Sequence, residues 1–305
     1  MKTTSALSLA DIELELPLRP VIDDLAGLAG RLSLAAGPEK GYAALAAEPI
    51  SVGEIAARAI GYADEIGRFL ELAGTSDRMQ VAAFLDMLIG LSLLNAASTL
   101  AVALLPPRTP ADIAIRQRVL NDIITAGGGD AGLAEAARQA FAHDGTILPD
   151  AIAVELEAPA VPATGEGLDQ RPAMLGLEQG LSLAAFVRSL APSRSLIARA
   201  ALQLDDADRF AAAIAQGDLD MEALDRLRRA DAGATLLATA DLARACVIAA
   251  LAPDDQTVWP LVAEQMARLS DPRLRDIVML AGLMAERLKE LRRMQRETAG
   301  GIRVI

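Results

Sequence analysis

The amino-acid sequence predicts an all-α protein, a multi-helix bundle or irregular helical array in two halves, with at most one short β-ribbon. Two observations lead there. Apolar residues make up 52% of the 305 positions while aromatic residues make up only 3%, so the apolar content is carried mainly by Ala and Leu, which are strong helix formers. Residues that start helices (Ser, Thr, Asp) and residues that stop them (Gly, Pro) then recur along the chain at helical distances. The length is ample for a buried core. Its punctuation suggests an N-terminal helical half over 1–144, a Pro/Gly-rich connection over 145–180 and a C-terminal helical half over 181–305.

The chain opens with MKTTSALSLADIELEL. Asp11, Glu13 and Glu15 arrive too early for the apolar core of a signal peptide, which predicts no cleavage and no Sec export. Ile12, Leu14 and Leu16 alternate with acidic residues, the period of a half-buried strand. Ser51 and Glu54 form a capping box ahead of the amphipathic run EIAARAIGYADEIGRFLELA, which Gly74 closes. Thr75, Ser76 and Asp77 then cap a long helix that Pro106 and Pro107 must end.

Within that helix, Met87 to Leu105 carries no charge and approaches the length that spans a bilayer. Asp86 at its edge and the polar residues Ser92, Asn95, Ser98 and Thr99 favour a central core helix. A single membrane span is the alternative. Thr109, Pro110 and Asp112 restart a helix that stops at the triple glycine 127–129, and Ala131 to Ala142 forms another. Those glycines lack a following Lys and a preceding strand, so they read as a helix stop rather than a phosphate loop.

Residues 145–180 lack helical periodicity. Inside them Ile152, Val154 and Leu156 alternate with Glu155 and Glu157, a second strand-like run expected to pair with the first as a small ribbon. Helices are expected near 182–190, 194–204, 206–216, 219–230, 234–251, 256–269 and 272–297, with QGD, DAG and APDD as turns. Asp271 and Pro272 mark the start of the last one.

A formal net charge of −12 argues against direct nucleic-acid contact, which needs clustered cations to release counterions. The densest basic patch is Arg287, Lys289, Arg292, Arg293 and Arg296. Acidic residues at helical spacing interleave it, which reads first as a salt-bridged surface. The single cysteine, Cys246, has no intramolecular partner and sits in an apolar run, consistent with a reducing cytoplasm.

Reactive constellations are sparse. His143, the sole histidine, lies at a helix end with no nucleophile motif near it. One His and one Cys exclude the usual zinc and haem ligand sets. Asp205, Asp206 and Asp208, with Asp218 and Asp220 beyond them, are the candidates for an oxygen-ligand cation site, but they lack the EF-hand order. Helix capping accounts for them more simply. No cofactor is expected.

The stretch TSDRMQVAAFLDMLIGL, followed after an Ala-rich spacer by PPRTPADIAIRQRVLND, resembles the C-terminal helical region of tailed-phage DNA circularisation proteins, tail-associated proteins of Mu-like phages. About 50 residues carry the resemblance. Asp77 and Arg78 would match the family's acidic-basic dyad, Pro107 to Thr109 its turn, and Arg118, Val119, Leu120, Asn121 and Asp122 its terminal motif. Leu120 and Asn121 depart from the aromatic and glycine found there. The resemblance implies a particle-associated component.

These readings converge on a non-enzymatic interaction or assembly protein of bacterial, cytoplasmic origin, with protein partners or a homo-oligomer. Arg287, Arg292, Arg293 and Arg296 on the last helix are its candidate partner-binding residues. Truncation of 272–305 is expected to abolish complex formation and leave the first half folded. Two alternatives stay open. One is an all-helical enzyme built from dispersed carboxylates and arginines, in which Asp205 to Asp208 face an apolar cavity, and the other is a protein anchored through Met87 to Leu105.

Overall fold

The computed structural model describes residues 39–40, 42–43, 52–75, 78–105, 107, 109–126, 130–142, 193–217, 219–250 and 257–300. Among them the chain is all-α, with eight helices: α1 (Val52–Thr75), α2 (Arg78–Leu104), α3 (Pro110–Ala126), α4 (Ala131–Phe141), α5 (Ser193–Gln216), α6 (Met221–Ala249), α7 (Val258–Met266) and α8 (Pro272–Gly300). No strand occurs among the described residues. The two alternating runs expected to form a ribbon, the helix near 182–190 and the connection over 145–180 lie outside them.

Local chemistry sets the helix ends. At α3, the Thr109 hydroxyl accepts from the Asp112 amide at 3.2 Å while the Asp112 carboxylate accepts from the Thr109 amide at 2.9 Å, a reciprocal capping box with Pro110 in the first turn. Asp130 accepts from the Leu133 amide and Asp220 from the Ala223 amide. Asp271 accepts from the Arg273 amide at 2.8 Å to open α8. Gly217, at φ +79°, closes α5 in the left-handed conformation that glycine adopts without strain.

Helix α2 is the central element. Its apolar residues from Leu88 to Leu104 are buried on several faces, with Leu100, Val102 and Ala103 wholly inaccessible. It packs against α1, α8 and α6. Alanines at the contacts, among them Ala101, Ala281 and Ala285, let these helices approach closely. Helix α6 is the second buried element. It is long and apolar enough to cross a membrane by length and composition, yet 78% of its apolar window is buried inside the protein. Sequence reading singled out only Met87 to Leu105 for this property.

Helix α8 joins the two sides. Ile277, Leu280, Ala281 and Ala285 are fully buried, and the helix packs on α2, α4 and α6. Residues from all eight helices therefore share one apolar core. Removing 272–305 strips the cover from α2 and α4, so the packing predicts damage to the first half rather than the clean separation expected from sequence.

Two helix assignments need correction. The breaks expected near Asp205 and at DAG, residues 231–233, do not exist, because α5 and α6 each run through unbroken. Gly233 instead serves a close approach. A Cβ there would lie 2.7 Å from the Tyr42 carbonyl carbon and 3.0 Å from its Cα, so only glycine lets the Tyr42 backbone reach α6.

Candidate functional site

A cavity of about 280 Å³ opens where α1, α2, α3, α4 and α8 meet. Leu88, Ser92, Asn95 and Ala96 follow one another along a single face of α2 and form one wall, the small Ser92 and Ala96 leaving the space. Met284, Leu288 and Leu291 of α8 face them, with Ile66 and Leu70 of α1 beside. Leu70 is 53% exposed, far more than an apolar side chain of the core.

Polar groups are few and placed at particular points. The Asn95 side-chain amide donates to the Ala59 carbonyl at 2.8 Å, which ties α2 to α1 at the cavity wall. Arg287 and Glu290 of α8 complete the lining. The Arg293 guanidinium bonded to Glu290 at 2.5 Å holds the Glu290 carboxyl below the usual carboxylate range, so this carboxyl stays ionised. An apolar pocket with a few polar groups is the general form of a binding site.

Of the arginines expected to meet partners, Arg287 lines this cavity. Arg293 lies outside its lining, bonded to both Glu290 and Glu297 on the exposed face of α8. Arg296 is exposed and Arg292 half-buried. Lys289 bonds to Glu286 at 2.6 Å and lies over the Trp259 ring at 4.8 Å, linking α8 to α7. These surface pairs add little stability each.

The aspartates proposed as a cation site are directed elsewhere. All three lie in the interior of α5, so helix capping does not explain them, contrary to the sequence reading. Asp205 and Asp208, three residues apart, both accept from Arg268 at 2.7 Å, just past the end of α7. Asp206 turns to the other side, where it accepts from Tyr42 Oη at 3.0 Å and pairs with Arg209. The three carboxylates share no centre. None of them lines this cavity. Among the described residues no group of three or more His, Cys, Asp or Glu could hold a metal ion.

Cys246 is buried in α6, and burial pushes its thiol up to about 12. It stays protonated and inert at neutral pH. His143, Asp77, Asp218 and Gly127–129 lie outside the described residues. Further along α3, Val119 and Leu120 are buried core, Arg118 and Asn121 are exposed, and Asp122 is half-buried with its carboxyl raised chiefly by burial.

Two polar devices escaped the sequence reading. Arg116 is fully buried and donates to the carbonyls of Val102, Ala103 and Leu105, with its guanidinium 4.7 Å above the Phe141 ring. It thus caps the C-terminal turn of α2, whose own amide partners end at the prolines. A signal existed, because Ile113, Val119, Leu120 and Ile123 are the buried stripe of α3 and Arg116 falls on it. The second is Asp241, wholly buried in α6, which accepts both arms of Arg199 of α5 at 2.6 Å.

No protein-family model matches the chain, and no curated protein or solved structure does either. The functional reading therefore rests on the geometry.

Proposed function

We propose that the protein is a non-enzymatic helical interaction module, and that a partner protein seats an apolar side chain in the cavity between α1, α2 and α8. The observation that carries this reading is the 280 Å³ apolar cavity with Leu70 exposed beside Arg287 and Glu290. Hot spots of protein interfaces have this form, an apolar pocket filled by one anchor with charged groups at its rim. Among the described residues, Asp205, Asp206, Asp208 and Asp241 are all in ion pairs and Cys246 is buried, which supports the non-enzymatic reading.

A narrower form of the proposal is a particle-associated component, which the phage-like stretch over residues 75–125 supports. Its place of action is then the cytoplasm or a particle assembled there. The acidic balance of the chain favours a protein partner over nucleic acid.

The test is a native pull-down of tagged chains from the cells of origin. Wild type and Leu202→Glu, an exposed position on α5 outside the cavity lining, should retain the same stoichiometric partner, and Leu70→Glu should lose it. Retention by Leu70→Glu would remove the cavity from the reading. A wild-type chain that recovers no stoichiometric partner would remove the interaction reading itself.

A further inference from the structure

A second, smaller apolar cluster lies apart from the main core. It consists of Tyr42, Ala207, Ala230, Ala234 and Leu237, so a turn that precedes α1 is packed against α5 and α6. Tyr42 is only 7% exposed, and its ring meets the edge of Phe210 at 6.1 Å with an interplanar angle of 71°. Its hydroxyl donates to Asp206. Three positions earlier, Glu39 accepts from Arg226 Nε of α6 at 2.7 Å. Gly233 lies between Ala230 and Ala234 and admits the Tyr42 backbone.

The slot thus has a shape made by small residues, a floor for one aromatic ring, and two charged groups set to read a carboxylate and a hydroxyl one helical turn apart. We propose that the slot between α5 and α6 is a recognition site for a helical turn of the form Glu-x-x-Tyr, filled here by the chain's own Glu39, Tyr42 and Ala43, and that this turn is an exchangeable latch. One aromatic anchor and two polar contacts, with Glu39 and Arg226 both partly open to water, is the contact set of a weak peptide site. The same turn from a second copy would make identical contacts, so a swap between copies costs no contact of the slot. The site is separate from the cavity of the proposed function and does not depend on it.

The test uses the full chain and a fluorescent peptide spanning residues 36–47. Tyr42→Ala empties the slot of its anchor and should bind the peptide. Wild type should bind it roughly tenfold more weakly, because the resident turn competes. Tyr42→Ala with Gly233→Ala should not bind, since the added methyl occupies the space the peptide backbone needs. Alanine is the better helix former, so that variant keeps α6 intact, and circular dichroism melts check it. In the otherwise native chain, Gly233→Ala should also speed tryptic cleavage after Lys40. No binding by Tyr42→Ala, equal binding by all three chains, or binding undiminished by Gly233→Ala would each overturn the proposal.

Discussion

Replacement of Arg116 by Met keeps the length and the buried stem of the side chain and removes only the guanidinium. The carbonyls of Val102 and Leu105 each lose a strong donor, and that of Ala103 loses two weak ones at 3.4 and 3.5 Å. A buried acceptor left without a partner costs about 1–3 kcal/mol. The two strong contacts then sum to about 4 kcal/mol, and the lost stacking on Phe141 adds about 1 kcal/mol. Release of a buried cation works in the opposite direction and offsets about 2 kcal/mol of this. The expected net loss is about 3 kcal/mol, or a fall in Tm of roughly 6–12 °C for a protein of this size. Urea unfolding followed by circular dichroism measures it, with the m-value checked for constancy. Arg116→Lys should fall between parent and R116M, since an ammonium keeps the charge without the fork. An R116M protein as stable as its parent would mean that desolvation cancels the carbonyl contacts, and the account of Arg116 as the cap of α2 would fail.

Arg199→Ala leaves the inaccessible Asp241 carboxylate unpaired and should cost about 3 kcal/mol by the same unfolding assay, with Asp241→Asn in that background recovering part of it. A chain ending at residue 271 should lose cooperative melting as a whole and bind a hydrophobic dye, whereas a first half that still melts sharply would contradict the shared core. Asp231 has its carboxyl raised by burial and then by Asp208. A folded pKa above the unfolded one lowers stability above the folded value and restores it as pH falls toward the unfolded value, near 3.9. Asp231→Asn should therefore raise Tm at pH 7.5, and the difference should shrink toward pH 4.

The starts of α3, α4 and α8 follow from residues within four positions of one another. Thr109 with Asp112, Asp130 with Leu133 and Asp271 with Arg273 are local pairs, so the sequence determined them along with the all-α class. The same is true of α2 as a buried helix, because a run that is apolar all round has no face to give to water. Reading by composition failed where a residue answers to a distant neighbour. Asp205 and Gly233 look like helix breakers, yet one serves Arg268 and the other makes room for Tyr42, so both helices continue.

The candidate cavity was legible only in its parts. Arg287 and the small uncharged residues of α2 were visible in the sequence, but their meeting with Leu70 depends on how α1, α2 and α8 pack. By itself the sequence determined where α3, α4 and α8 begin and that α2 is apolar all round, since those properties depend on spacing along the chain. Only the tertiary structure decided that Arg116 caps α2, that Tyr42 reaches Asp206 across 164 positions, and that a cavity remains at the core's edge. The physical reason is range, because capping and periodicity act within one or two helical turns, whereas burial and charge pairing join groups that the chain itself keeps far apart.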